Sequence, residues 1–390
     1  MASPEPSTPP TVLIAAFSGR ALSQSARRAG YIPLVVDCFG DSDTRTAAHD
    51  LICLPARVQI GFIKRPLITA LETLAANAPA PPIGLVLGGG FECNPKLVAA
   101  LAERFPLIGN TANTIRRVKD PSDFFGTLAR LGIRHPETRL TPPDDPTGWL
   151  MKRIGGSGGL HIHPCPSTFE PDPRRYFQRE YPGDAISVLA IASPRGTAVA
   201  LSRQWSSPRK RRPYRYGGAV SGVHIDDDLE ARVIDTSLMV LSKFDLVGLV
   251  SFDFVVHDSE PLLLEVNPRP GATIDIFDDA TGSLFAAHIA ACAHENPAMI
   301  LKDRWRPPQA AAAAYLYADQ GALTVPHMNW PEWAADRPQP GTEIARGQPL
   351  ATVTATALTS DQAESLCRER LSALADLVYE SSKREGNVRI

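Results

Sequence analysis

The sequence predicts an α/β chain in three parts: a parallel, Rossmann-like sheet, then a mixed α+β core, then a small C-terminal appendage of strands and a helix. Three observations carry this. Apolar strands and amphipathic helices alternate over roughly the first hundred residues, the pattern of βαβ units around a parallel sheet. A glycine-rich segment, Gly155-Gly156-Ser157-Gly158-Gly159, follows a lysine, Lys152, that ends a short strand. The stretch Leu249 to Gly271 (LVSFDFVVHDSEPLLLEVNPRPG) holds two apolar runs joined by turn residues, and reads as an antiparallel hairpin.

Composition narrows the function classes. With 390 residues the chain is long enough for more than one domain and a sizeable core. Its formal net charge is only -2, so no global field draws it to nucleic acid or anionic lipid. The six cysteines (Cys38, Cys53, Cys93, Cys165, Cys292, Cys367) are scattered without paired short spacings, which argues for reduced thiols in a cytoplasmic protein. No apolar run reaches membrane-spanning length. The first ten residues, MASPEPSTPP, lack the basic and apolar regions of a signal peptide and are expected to form a disordered tail over 1–10.

The N-terminal elements follow in order. Thr11 to Phe17 is a continuous apolar strand, and a helix runs from Arg20 to Ala29, ended by Gly30. Pro33 to Asp37 is a second strand, Lys64 to Ala76 a helix, Ile83 to Leu87 a buried strand, Pro95 to Arg104 a helix and Leu107 to Asn110 a short strand. The first turn, Ala16-Phe17-Ser18-Gly19-Arg20, lacks the three-glycine dinucleotide fingerprint, so Asp37 as a ribose ligand and an NAD-dependent oxidoreductase are disfavoured. Gly88-Gly89-Gly90-Phe91-Glu92 lies at the carboxyl end of a strand, the edge where open α/β sheets bind ligands. Two readings stand there: Glu92 accepts hydrogen bonds from a substrate amine, or it helps to start the next helix.

Thr111 to Leu131 reads as a helix pair broken at Pro121. Trp149 to Lys152 is a strand, the glycine segment a loop, and Leu160-His161-Ile162 its return strand. Glycines allow close approach and bare N–H groups, and a lysine supplies a point charge, which together suit a triphosphate. Ser157 adds a hydroxyl donor. No Gly-Lys-Ser/Thr follows, so this is not a P-loop. His161 and His163 have no carboxylate near them in sequence and are read as hairpin surface, with a place in the lining of the active site left open. The loop Pro208 to Gly218 carries Arg209, Lys210, Arg211, Arg212 and Arg215. It is either a solvated loop or one that favours an anionic substrate. A helix with an acidic first turn spans Asp226 to Phe244.

In the hairpin, antiparallel pairing brings Asp253 close to Glu265 and Asn267, and the latter two, two residues apart, share a strand face. Mg²⁺ takes such oxygen ligands, whereas a buried carboxylate pair without a cation repels. The alternative is purely structural: Glu265 pairs with Arg269 and Asn267 caps a turn. Asp275, Asp278 and Asp279 follow, either gripping an amine or cation or acting as caps. Leu284 to Ala293 is a helix. Beyond Gln309, AAAAYLYAD and PLATVTATA read as strands, and Gln362 to Ser381 as an amphipathic terminal helix.

Asp253 followed by Glu265-x-Asn267-x-Arg269 resembles the metal-binding hairpin of the ATP-grasp superfamily, and the other parts occur in that family's order over roughly residues 11 to 300. The likeness is to the branch described as predicted ATP-dependent carboligases, through Gly89 to Glu92, Gln178 to Ser187, Asn267 to Pro270 and the helix at Leu284 to Cys292. The resemblance implies a Rossmann-like domain over 11–112, an ATP-grasp domain over 113–305 with its lid at about 149–182, and a C-terminal appendage over 306–390. It implies ATP with Mg²⁺, or Mn²⁺ in its place, the metal held by Asp253, Glu265 and Asn267. Lys119, Lys152, Gly156, Ser157 and Gly158 would hold phosphates. The hinge Gln178, Arg179, Glu180 and Tyr181 would hold adenine, with Asp184 or Glu180 on the ribose where Ala185 replaces the family's glutamate. Arg269 and Lys152 would be catalytic. The implied reaction is ligation of a carboxylate to an amine through an acyl phosphate. Its substrate would be a small anionic acid of glutamyl type, in the biosynthesis of a one-carbon cofactor of the methanofuran or methanopterin kind. Expected partners are small-molecule acid and amine substrates, with homo-oligomerisation left open. The alternatives are an ATP-grasp carboxylase or kinase, or a nucleotide-binding protein without turnover.

Overall fold

A computed structural model describes residues 9–56, 60–168, 170, 172–302 and 305–388. Most of the expected N-terminal tail, residues 1–8, lies outside the described residues. The first sheet is parallel and contains β1 (Thr11–Ala15), β2 (Ile32–Asp37), β3 (Asp50–Cys53), β4 (Leu85–Leu87) and β5 (Leu107–Ile108), in the order β3-β2-β1-β4-β5. Its helices are α1 (Arg20–Arg28), α2 (Ser42–Ala47), α3 (Lys64–Ala76) and α4 (Pro95–Ala102). The chain order reverses between β1 and β4, the switch point where such sheets open a crevice. The turn at Ser18-Gly19 and the turn Gly88 to Glu92 face each other across it. A Cβ on Gly88 would lie 2.7 Å from the Ala16 side chain, so the backbones can close up only with glycine there. α2 and β3 were not expected from the sequence: both are short, and β3 is exposed or half-buried along its length, so neither shows an apolar period.

Two helices then lead to the core. Thr111 caps α5 (Ala112–Lys119), accepting from the Thr114 N–H, and Asp120 caps α6 (Pro121–Arg130), accepting from the N–H groups of Ser122 and Asp123. Pro121 stands at the first helical position, where its missing N–H costs nothing. A small sheet follows from β6 (Thr138–Arg139), β7 (Trp149–Arg153), β8 (His163–Pro164) and β9 (Arg175–Arg179), in the order β6-β9-β7-β8. The strand returning from the glycine loop is therefore His163–Pro164 and not Leu160 to Ile162. Gly155, Gly158 and Gly159 all have positive φ, and the turn they make extends through Leu160 and His161 before pairing resumes.

The large sheet is antiparallel. It contains β10 (Asp184–Ser193), β11 (Gly196–Ser206), β12 (Tyr216–Val220), β13 (Gly248–His257), β14 (Glu260–Asn267) and β15 (Ala310–Tyr317). After them come β16 (Leu323–Thr324), β17 (Ala334–Ala335), β18 (Glu343–Ile344) and β19 (Pro349–Ala357). β17 and β19 join the large sheet, whose order is β14-β13-β10-β11-β12-β15-β19-β17, while β16 and β18 form a separate pair. The C-terminal segment is thus tied to the core by strand pairing, β12 with β15. Helices α7 (Asp227–Lys243), α8 (Ile274–Phe277), α9 (Ser283–Cys292) and α10 (Ser360–Val388) complete the chain. Val188, Ala190, Phe252, Phe254 and Leu263 of the large sheet pack on Phe124, Leu128, Val233, Val240 and Phe244 from α6, α7 and the turn after α7. That core fixes α5 and α6 against the hairpin. No helix of the described residues is long and apolar enough to cross a membrane.

Candidate active site

The hairpin β13–β14 turns through Asp258 and Ser259, both at positive φ, as a two-residue hairpin turn requires. Its register pairs Asp253 with Glu265 and Ser251 with Asn267. Phe254 then pairs with Leu263, so the ladder skips Leu264, a bulge of the kind that re-aims side chains near active sites. Asn267 ties the group together: its Nδ2 donates to Asp253 Oδ2 at 3.0 Å and to Glu265 Oε1 at 3.2 Å. Ser187 Oγ and Gln204 Nε2 donate to Asp253 Oδ1 at 2.9 and 3.0 Å. Neither residue was singled out in the sequence, because each acts from a strand distant in the chain.

Two lysines approach from other elements. Lys119, the last residue of α5, donates from Nζ to Asn267 Oδ1 at 2.9 Å and lies 3.7 Å from Glu265. Lys152 on β7 is buried and donates to Gln178 Oε1 at 2.5 Å, while Gln178 Nε2 donates to Thr138 Oγ1 at 3.2 Å, which fixes the amide's orientation. Burial pushes the Lys152 ammonium below its ordinary pKa, opposed by Glu265 and Asp253. The two carboxylates are driven apart. Burial and the charge of Glu265 raise the Asp253 pKa; Glu265 is lowered, since Lys119, His161 and Lys152 outweigh its burial. His161 also faces this group, and its neutral form is held by burial, with a pKa near 4.

Residues 119–273 match the family described as ATP-grasp domain. Over that stretch, 155 of the chain's 390 residues, the sequence is similar to an ATP-grasp domain. Carbamoyl phosphate synthase large chains are curated relatives: that of Vibrio vulnificus (strain CMCP6) is 24% identical over 246 residues, covering 56% of this chain and 22% of the relative. That of Myxococcus xanthus (strain DK1622) is 22% identical over 300 residues, covering 68% and 26%. The chain thus spans about a quarter of the length of these relatives. Among solved structures, the L-amino acid ligase from Bacillus licheniformis superposes with a TM-score of 0.67 at 14% identity, over 93% of this chain and 97% of that one. The biotin carboxylase domain of a single-chain bacterial carboxylase gives 0.66 at 16% identity, over 90% and 85%. N5-carboxyaminoimidazole synthetase from Staphylococcus aureus, complexed with ADP, gives 0.63 at 14% identity, over 93% and 97%. At these identities the likeness is one of fold.

The glycine loop and the segment expected to act as a hinge are placed as follows. The glycine loop is packed on two sides. A Cβ at Gly155 would lie 2.6 Å from the backbone of Glu92 and Cys93, and one at Gly156 would meet the His161 ring at 2.3 Å. Gly158 O accepts from the Tyr216 N–H at 3.1 Å. In the hinge, Gln178 faces Lys152, whereas the Arg179 guanidinium is turned to the Thr147 carbonyl at 3.1 Å. Glu180 accepts from the Tyr214 hydroxyl, Tyr181 packs edge-on to His257, and Asp184 is exposed at the start of β10.

Several alternatives close. Glu92 is not free for a substrate amine: Arg269 Nε donates to its Oε1 at 2.5 Å, and the N–H groups of Gly90 and Phe91 donate to its Oε2 at 3.1 and 3.0 Å. Burial opposes its charge, but Arg269 and Lys119 hold the carboxyl below the ordinary range. Asn94, not Glu92, caps α4. Asp37 is fully buried and closes its own turn, accepting from Gly40 at 2.9 Å. Asp275 is bound by Arg20, Asp278 by Arg28, and Asp279 caps the turn into α9 through Thr281 and Ser283. In the basic loop, Arg209 and Arg215 both pair with Asp319, so much of its charge is spent within the protein.

Proposed function

We propose that this chain is an ATP-dependent ligase that joins a carboxylate to an amine through an acyl phosphate. The observation that carries the reading is the single cluster in which Asp253, Glu265 and Asn267 meet Lys119, with Arg269 on the same hairpin. Among the described residues no three His, Cys, Asp or Glu are placed to hold a metal, so a cation here needs the Asn267 amide as its third ligand. The donors fit Mg²⁺: two carboxylates and one amide are hard oxygen ligands, and half a turn about the Asn267 Cβ–Cγ bond exchanges its Nδ2 for Oδ1 toward them. Bound Mg²⁺ supplies charge neutralisation for the phosphates.

The chain's own residues do the rest. Lys119 and Lys152 hold phosphate oxygens, and the loop Gly156-Ser157-Gly158 supplies N–H and hydroxyl donors above them. The hinge from Gln178 to Tyr181 borders the base, and Asp184 or Glu180 meets the ribose. The substrate carboxylate attacks the γ-phosphoryl group and ADP leaves. The amine then attacks the acyl carbon, loses a proton, and phosphate leaves. Arg269 stabilises the negative charge that develops on the acyl group. The preference for an anionic acid rests on Arg269 and not on the basic loop. The setting in cofactor biosynthesis rests on the carboligase resemblance alone.

The test is ADP and phosphate release with Mg²⁺ across a panel of acids, glutamate included, each with and without amines such as tyramine. Release that requires both an acid and an amine, with an amide product by mass spectrometry, is the expected result. Release with bicarbonate or with a hydroxyl acceptor alone would assign a carboxylase or kinase instead.

A further inference from the structure

Arg269 and Glu92 are 177 positions apart and belong to different sheets, yet each is shaped around the other. Glu92 is 4% exposed, and both of its carboxylate oxygens are engaged, Oε1 by Arg269 Nε and Oε2 by the Gly90 and Phe91 N–H groups. Gly90 sits at φ +117°, so the turn that holds the carboxylate is one that only glycine makes readily. Arg269 lies between two further glycines: a Cβ on Gly271 would meet its Nη1 at 2.7 Å and one on Gly89 its Nε at 3.9 Å. Nη1 donates to the Pro270 carbonyl at 3.3 Å, and among the described residues Nη2 makes no hydrogen bond. The guanidinium is therefore gripped along its Nε edge, and its far edge is left for an oxyanion.

We propose that Glu92 is a positioning residue for the reaction, fixing which edge of the Arg269 guanidinium faces the acyl group. The inference rests on the ligase reading of the site. A guanidinium has five donors in a rigid fork, so its orientation decides whether it meets a developing oxyanion in plane. A carboxylate that is itself locked by two backbone donors removes the rotation that an exposed arginine keeps, and the charge is in place before the substrate arrives. The N-terminal sheet thereby contributes to the chemistry through its β4 turn. Lysine at 269 would keep the charge but lose the edge that Glu92 selects.

The experiment is a double-mutant cycle on Glu92→Ala and Arg269→Ala, read as acid- and amine-dependent phosphate release. Binding of MgATP is measured separately by calorimetry. Glu92→Ala is expected to lower kcat about 10²-fold, the usual cost of a misplaced group. The KM for ATP should stay within about threefold, and the double variant should be no slower than Arg269→Ala. Multiplying effects in the double variant would overturn the inference. So would an unimpaired Glu92→Ala beside an impaired Arg269→Ala. If Arg269→Ala is itself unimpaired, the reading of Arg269 fails first. Glu92→Gln serves where the alanine variant does not fold, because it keeps the volume but cannot accept from the two turn N–H groups and from Arg269 at once. A second readout is independent of turnover: the Arg269 Nε–H proton in ¹⁵N-edited spectra. It should exchange slowly in the native chain and rapidly in either Glu92 variant; equal exchange would also overturn the inference.

Discussion

Arg20 grips Asp336 across 316 positions of sequence, donating from Nη2 at 2.8 Å and from Nε at 3.1 Å. The same guanidinium holds both oxygens of Asp275, at 2.5 and 2.7 Å. One buried cation thus joins the N-terminal sheet, the segment after the hairpin and the C-terminal strands.

Removing that cation strands two carboxylates. Arg20→Met should cost about 3–5 kcal/mol, the price of breaking a buried pair. The pH dependence has a definite sign. Burial works against the charge of Asp336, but Arg20 wins and its pKa is lowered from the ordinary 3.8. Its contribution is therefore full above the ordinary value and lost as pH falls through the lowered one. The deficit of Arg20→Met should shrink as the solution is acidified. Urea midpoints at pH 7 and at a pH well below 3.8 check this; a deficit that grows with acid would contradict it.

Lys152 is the clearest test among the residues proposed to hold phosphates. It is buried with Gln178 as its hydrogen-bond partner, and no ion pair within 4 Å neutralises it in the described residues. A methionine fills similar space without the charge. Lys152→Met should lower turnover about 10²- to 10³-fold, in line with loss of one transition-state donor. Its circular dichroism should be unchanged. Near-native rates in the folded variant would remove Lys152 from the machinery.

The hairpin was legible because it combines alternating strands, a two-residue turn and a compact ligand spacing within about twenty residues, all local signals. The helix pair 111–131 was legible from Pro121 and its caps. α2 and β3 were not: SDTRTA is polar and DLIC is half-exposed, so neither carries a period. The lid's return strand was misplaced because the glycine turn is longer than its apolar neighbours suggest. Glu92 was noticed but given the wrong partner. No local pattern links it to Arg269, since only the packing of the β4 turn against the hairpin brings them together. The same holds for Asp275, whose partner Arg20 lies 255 positions away.

Asp41 offers a stability prediction apart from the site. It is 4% exposed beside Asp336, Asp37 and Asp43, and burial with those charges pushes its pKa up to about 8. Its side chain makes no capping bond to α2. Between the ordinary 3.8 and about 8 the folded chain keeps a proton that the unfolded chain has lost. Stability should therefore fall as pH rises through that window and level off above it. Asp41→Asn should remove this slope and leave the protein more stable at pH 8, by roughly 2–4 kcal/mol. Denaturant midpoints of both proteins at pH 5 and pH 8 measure it; parallel pH profiles would contradict it.

The hairpin carboxylates should couple metal binding to proton release. Asp253 is raised by burial and by Glu265 opposite it, while Glu265 is kept ionised by the charges of Lys119 and Lys152. Asp253 therefore holds a proton to higher pH than an ordinary carboxyl. A divalent cation must displace that proton, because a ligand carboxylate binds metal only when ionised. Affinity for Mn²⁺, used as a paramagnetic probe, should climb as pH rises through the raised Asp253 pKa and then flatten. Calorimetry in buffers of different ionisation enthalpy should count protons released on the lower side of that window and close to none above it. Asp253→Asn should bind the ion more weakly and abolish the pH dependence together. A variant that binds weakly yet keeps the native slope would assign the proton to another group.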